Sequence, residues 1–214
     1  MKKKNVGFAT GRAGAGKGFV CEFVEKEYGI KILSMSKILD KSRNQSTPSG
    51  ETIGSIMNRG EIVPVRIVLS LLEKEIESVD SDKLIVDGFP RTIEQASFLE
   101  TQNEFSPTIF YIKAKRSLCV SRIINAPDRG KRADDEPEKI KIRQDIFERD
   151  TLPAIKYLES GGIAPVVTLD GRKSRELNAD IIMKNLRALE ISNGLVLEFM
   201  QGRVHSMQTF VHSL

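Results

Sequence analysis

Short apolar runs alternate along the chain with longer segments whose apolar residues recur every three or four positions. Asn5–Thr10, Lys31–Met35, Leu84–Val86, Thr108–Ile112 and Val166–Leu169 are runs of strand type, and a parallel strand buried on both faces reads as such a continuous run. Between them lie Gly16–Tyr28, Ser36–Asn44, Thr52–Arg59, Val65–Val79, Thr92–Glu104, Arg116–Asn125, Pro137–Tyr157 and Ser174–Leu189, all with the helical period. Gly60 and Pro64 break the pattern, and Pro153 predicts a kink. In the first helix the apolar face reads as Phe19, Phe23 and Val24. Gln45–Gly50 is a polar loop and Ala126–Ala133 a charged one. This β-α alternation predicts an α/β fold, a parallel sheet with helices on both faces.

The length, 214 residues, fits one domain with small insertions. No apolar run approaches the ~18 residues that a membrane span needs. The stretch after Met1-Lys2-Lys3-Lys4 is too short for a signal-peptide core, so a cytoplasmic protein without membrane contact is expected. Lys and Arg number 33 against 29 Asp and Glu, a net charge of +4 with three of the lysines in the N-terminal arm. That excess is too mild for a nucleic-acid binder and leaves anionic small ligands open. The two histidines, His205 and His212, lie in the last ten residues, and the first 204 contain none. A histidine base, triad or metal site in the body is therefore excluded. Cys21 and Cys119 are read as buried free thiols. The chemistry left to the body belongs to Lys, Arg, carboxylates, hydroxyls, backbone amides or a bound ion.

Gly11-Arg12-Ala13-Gly14-Ala15-Gly16-Lys17 follows a strand and opens a helix. Such a loop points successive amides inward at a helix N-terminus and cradles phosphate oxygens. Lys17 adds a charge for the outer phosphates. Where the general pattern has Ser or Thr after the Lys, this chain has Gly18. Farther on, Leu84-Ile85-Val86 deliver Asp87 to the end of a buried strand, and Gly88-Phe89-Pro90-Arg91 turn the chain. Ligands of open parallel sheets bind at those carboxyl ends. Asp87 there would order the water shell of Mg²⁺ without ligating it directly, and Arg91 presents a fork to phosphate.

The Gly-x-x-Gly-x-Gly-Lys-Gly run and Asp87–Arg91, followed by Thr92-Ile93-Glu94-Gln95-Ala96, resemble the nucleoside monophosphate kinases, above all adenylate kinase, over residues 5–189. The resemblance implies ATP contacts from Gly11, Ala13, Gly14, Ala15, Gly16, Lys17, Gly18, Phe19 and Arg122. At Phe19 the family usually has Thr, so a hydroxyl contact is lost. Arg91 would clamp the acceptor phosphate through a motif that also supplies Gly88, and Gln95 would pair with the adenine edge. An ordinary surface Gln is the plainer reading of position 95.

Arg59-Gly60-Glu61-Ile62-Val63-Pro64 resembles the end of the family's acceptor-binding insert, about residues 35–64, with Ile62 and Val63 facing the acceptor. Met35 stands where the family has a base-contacting Thr, and Asp40 where it has a phosphate-gripping Arg. Lys37, Lys41, Arg43 and Arg59 are the nearby candidates to compensate. A short lid, about 126–136, would close and exclude water. Arg132-Ala133-Asp134-Asp135 and Arg143 match the family's lid residues, with Arg132 and Arg143 neutralising the transferring phosphoryl group. A further lid Arg falls on Ala126, with Arg129 and Lys131 beside it. Asp135 with Glu138 also fits a capping box for the helix at Pro137.

Residues 1–189 are thus read as the kinase domain and 190–214 as a helical extension. In the extension Leu197, Met200, Val204, Met207, Val211 and Leu214 form a coiled-coil-type stripe. That stripe either packs on the body or pairs two copies as a homodimer. The expected function is Mg²⁺-dependent reversible phosphoryl transfer from ATP to AMP. Two alternatives stay open: another nucleoside monophosphate as acceptor, or a catalytically weak nucleotide-binding module acting through its extension.

Overall fold

The computed structural model describes residues 4–101, 105–125 and 135–200, with only the helical backbone given over 189–200. Lys4–Thr10 (β1), Lys31–Ser34 (β2), Lys83–Asp87 (β3), Phe105–Lys113 (β4) and Val166–Asp170 (β5) form one sheet in the order β2-β3-β1-β4-β5. Every pairing is parallel. β1 is central, with Ala9 opposite Asp87 on β3 and Phe110 on β4.

Successive strand side chains point to opposite faces, and this period of two separates the core into layers. Val6, Phe8, Leu84, Val86 and Ile109 face one cluster. It is closed by Met35–Lys41 (α2), Ile53–Asn58 (α3), Val65–Ser78 (α4), Ile93–Phe98 (α5) and Leu152–Gly161 (α8). Ala9, Ile85, Phe110, Ile112 and Leu169 face the other, closed by Lys17–Tyr28 (α1), Arg116–Ile124 (α6) and Arg175–Met200 (α9). α4 shows the physics plainly. Val68, Leu72 and Ile76 recur every four residues and are its buried positions.

Met35, read as the end of a strand, instead opens α2. The helix expected over Thr92–Glu104 is α5 followed by a 3₁₀ turn at Leu99–Thr101. α9 runs unbroken past Leu189 to Met200. The buried stripe of α1 is Val20, Cys21 and Val24. Phe19 is 59% exposed, and the Arg175 guanidinium lies 4.6 Å from its ring centre. That cation–π contact accommodates the exposed ring without burying it. Both cysteines are buried and free. The long helix that begins at Pro137 is α7 (Pro137–Ile146), a π-helical turn at Phe147–Thr151, then α8. The widened turn lies just ahead of Pro153, whose ring excludes the carbonyl four residues earlier.

Candidate active site

The loop between β1 and α1 is held by close packing that only glycine permits. Gly11, Gly14 and Gly16 have φ of 146°, 84° and 102°. A Cβ on Gly11 would sit 2.5 Å from the Ile112 carbonyl oxygen, and one on Gly14 would drive into that of Cys119. Gly16 caps α1 in the left-handed conformation, which leaves the first-turn amides open at the positive end of the helix. Lys17 Nζ curls back and donates to the carbonyls of Gly11 and Arg12 at 2.8 and 2.9 Å. Burial lowers its pKa from 10.5 to about 8, against the pull of Asp87, which raises it. Arg122 on α6 donates to the Ala15 carbonyl at 3.3 Å.

Asp87 ends β3 beside this loop. A Cβ on Gly18 would lie 3.8 Å from Asp87 Oδ2, an ordinary contact distance, which places the carboxylate next to the first turn of α1. Asp87 Oδ1 is buried and finds no hydrogen-bond partner among the described residues. A buried carboxylate oxygen left unpaired is unfavourable, and a water bound to Mg²⁺ is the kind of donor it fits. No cluster of three or more His, Cys, Asp or Glu that could hold a metal ion occurs among the described residues.

Beyond Asp87 the chain turns sharply, Gly88 donating to the Ala9 carbonyl at 2.9 Å. Thr10 Oγ1 donates to the Pro90 carbonyl at 2.8 Å, tying the end of β1 to the turn. Arg91 is exposed, and its Nε donates to the Gly88 carbonyl at 3.0 Å. Gln95 is 2% exposed. Its Oε1 accepts from the Arg91 backbone N–H at 2.8 Å, and Thr92 caps α5 by accepting from the Gln95 N–H. Gln95 is therefore not the surface residue of the plainer reading. Its carbonyl oxygen fixes the turn that carries Arg91.

Arg143, on α7, pairs with Asp135 at 2.8 Å, both side chains nearly buried. α7 is capped at Glu136 without a side-chain bond, so Asp135 serves Arg143 rather than a capping box. Arg132, Asp134, Ala126, Arg129, Lys131 and the histidines lie outside the described residues, as does most of the expected lid.

In the segment expected to receive the acceptor, Met35 is 2% exposed and Val63 3%, so both belong to the core. Ile62 is half-buried. Asp40 is exposed and pairs with Arg43 at 2.5 Å. Arg59 pairs with Glu51 and Glu61, and Lys41 with Glu75 at 3.4 Å. These three cations thus face carboxylates, and Lys37 is exposed.

Sequence reasoning passed over a group beside the loop. Arg12 pairs with Glu148 at 2.8 Å and lies 4.4 Å from the ring centre of Phe147. Gln144 Nε2 donates to the Ala13 carbonyl at 3.0 Å, and Thr151 Oγ1 to the Arg91 carbonyl at 3.0 Å. A signal was present. Ile140, Gln144 and Phe147 stand at 4-3 spacing, which puts an amide on an apolar stripe.

Comparison with known proteins agrees with the motifs. The family profile described as adenylate kinase matches residues 9–163, well over half of the chain. Adenylate kinase isoenzyme 1 of Rattus norvegicus is 30% identical over 173 residues, which are 80% of this chain and 89% of that protein. The isoenzyme 1 of Cyprinus carpio is 32% identical over 165 residues, 76% of this chain and 85% of its own. UMP-CMP kinase 1 of Oryza sativa subsp. japonica is 33% identical over 162 residues, 75% of this chain and 66% of its own.

Proposed function

The chain belongs to the adenylate kinase family, and from that premise we propose that it transfers the γ-phosphoryl group of ATP reversibly to AMP, giving two ADP. The coarser activity, phosphoryl transfer between nucleotides, comes with the family. The observation that carries the proposal is the unpaired Asp87 carboxylate oxygen, set beside Gly18 and the Lys17 loop at the ends of two adjacent parallel strands.

An oxygen of the acceptor phosphate attacks the γ-phosphorus, and the bond to the bridging β-oxygen breaks. The attacking phosphate is already anionic, so no general base is required. The work is positioning and charge neutralisation. The loop amides and Lys17 would hold the donor phosphates, Arg122 would cover the donor base, and Arg91, Arg132 and Arg143 would clamp the moving group. Mg²⁺ arriving with ATP would neutralise donor charge, held through its water shell by Asp87. Gln95 supports adenine in the acceptor through the resemblance, with its Nε2 the group left for the base, since Oε1 accepts from the Arg91 N–H. The proposal takes 1–189 as the catalytic domain and places the reaction in the cytoplasm. No described helix is long and apolar enough to cross a membrane.

A second reading keeps the donor and changes the acceptor. Met35 is buried and Asp40 is tied to Arg43, which removes two contacts the resemblance implies for AMP. A coupled assay of ATP with AMP, CMP, UMP and GMP separates the readings. ADP formation fastest with AMP, at ~1–100 s⁻¹, is expected. Preference for another acceptor overturns AMP in favour of the second reading. ATP binding with negligible turnover on all four overturns both and leaves a nucleotide-binding module.

A further inference from the structure

We propose that Gln144 is a positioning residue, which fixes the phosphate loop against the helix carrying Arg143. The inference rests on the phosphoryl-transfer reading and adds a residue to it. One stretch, residues 143–151, makes three contacts to the site, two to the phosphate loop and one to the Arg91 turn. Arg143 belongs to it. Gln144 holds the Ala13 carbonyl at 3.0 Å, Glu148 holds Arg12 at 2.8 Å, and Thr151 holds the Arg91 carbonyl at 3.0 Å. The stretch ends in the π-helical turn Phe147–Thr151. Turns of that kind are uncommon and often mark functional sites. Here the turn puts Phe147 under the Arg12 guanidinium and stacks it on Tyr111 of β4, ring centres 6.4 Å apart.

Gln144 is the centre of this arrangement for a physical reason. It is 0% exposed, on a stripe where Ile140 and Phe147 are apolar and buried. Packing alone would favour Leu or Met there, because a buried amide must be hydrogen-bonded to be tolerated. Its Nε2 is bonded to the loop, while its Oε1 has no partner among the described residues. The amide is thus only half satisfied by its surroundings, and the bond it makes is to the phosphate loop. That bond sets a direction. In a trans peptide the carbonyl and the following N–H point opposite ways. Turning the Ala13 carbonyl toward α7 aims the Gly14 N–H away from it, free for a phosphate oxygen. Arg122 fixes the Ala15 carbonyl in the same manner. Two of the loop's peptide planes are therefore held from outside, by side chains more than 100 residues away.

The test is Gln144→Met, which keeps the length and removes the amide. Folding is checked by thermal melting. If that variant does not fold, Gln144→Leu takes its place. Two measurements decide. Amide hydrogen exchange of the peptide spanning residues 11–17 is expected to quicken about tenfold relative to the strand peptides. The Kd for MgATP by calorimetry is expected to rise about tenfold. If either stays at its wild-type value in a folded variant, the inference is overturned. Kinetics then add a split that a merely structural change would not give, with kcat down about 10- to 100-fold and KM for AMP nearly constant. A wild-type protein without turnover would overturn the proposed function, while the exchange and binding results would still decide the role of Gln144.

Discussion

Lys17 is held at a thermodynamic disadvantage, and replacing it should show this directly. Burial lowers its pKa from 10.5 to about 8. That difference corresponds to about 3 kcal/mol disfavouring the charged amine in the folded protein. Lys17 is only partly buried by its surface, so water screens some of it, and about 2 kcal/mol is the working figure. Lys17→Met removes the penalty but also two bonds to carbonyls, which offset about 1 kcal/mol. The variant is therefore expected to be about 1 kcal/mol more stable than wild type at pH 7, and inactive. The sign with pH follows from the depressed value. The penalty is complete below the folded pKa of about 8 and fades as pH rises toward the ordinary 10.5. Wild type should thus gain on the variant by about 1–2 kcal/mol between pH 7 and 10, the two ending about equal. Urea unfolding of both proteins at matched pH measures the gap, and taking the difference cancels the tyrosines and other lysines. A gap that does not change between pH 7 and 10 would refute the assignment of a desolvated amine.

Gly14→Ala forces a Cβ into the Cys119 carbonyl at a φ of 84°, and a melt should show a loss of about 2–3 kcal/mol together with loss of ATP binding. Asp87→Asn removes the carboxylate that holds Lys17 charged. A fall in kcat of at least about 100-fold is expected, and the alkaline limb of the residual kcat/KM profile should move to lower pH. Asp40→Arg replaces an exposed acid paired with Arg43, so stability should change by no more than about 0.5 kcal/mol. If the acceptor phosphate lies near this position, KM for AMP should fall several-fold, and an unchanged KM places the acceptor elsewhere.

The layers of the fold were legible because they rest on local periodicity. Val6, Phe8, Leu84 and Val86 share one face for no reason beyond the pleat. The loop and Asp87 were legible because strand, turn and helix follow one another directly in the chain. Three features were not. Phe19 reads as a core residue, since nothing near it in sequence announces Arg175 above its ring. Asp135 fits a cap equally well, and only the course of α7 decides for Arg143. The π-helical turn is tied by Gln144 to a loop 131 residues earlier, and periodicity carries no record of such a partner.

The partners of the cations at the phosphate loop bear on how a body without histidine can serve this chemistry. On the surface, guanidiniums meet carboxylates, as Arg59 does with Glu51 and Glu61 and Arg172 with Asp170. Such pairs cancel charge and contribute little. At the loop the partners are different. Lys17 and Arg122 are oriented by the carbonyls of Gly11, Arg12 and Ala15. A carbonyl fixes direction without neutralising charge, so the positive field survives, and its orientation is set before any phosphate arrives. Arg12 is the exception within the loop, paired with Glu148. It sits where the chain needs an anchor rather than a field, stacked on Phe147 and joined to Glu148 in the π-helical turn that follows the helix of Arg143. Transfer between phosphates moves no proton through the protein and calls for fixed charge on a fixed frame. The first 204 residues contain no histidine, and by this reasoning the site they build requires none.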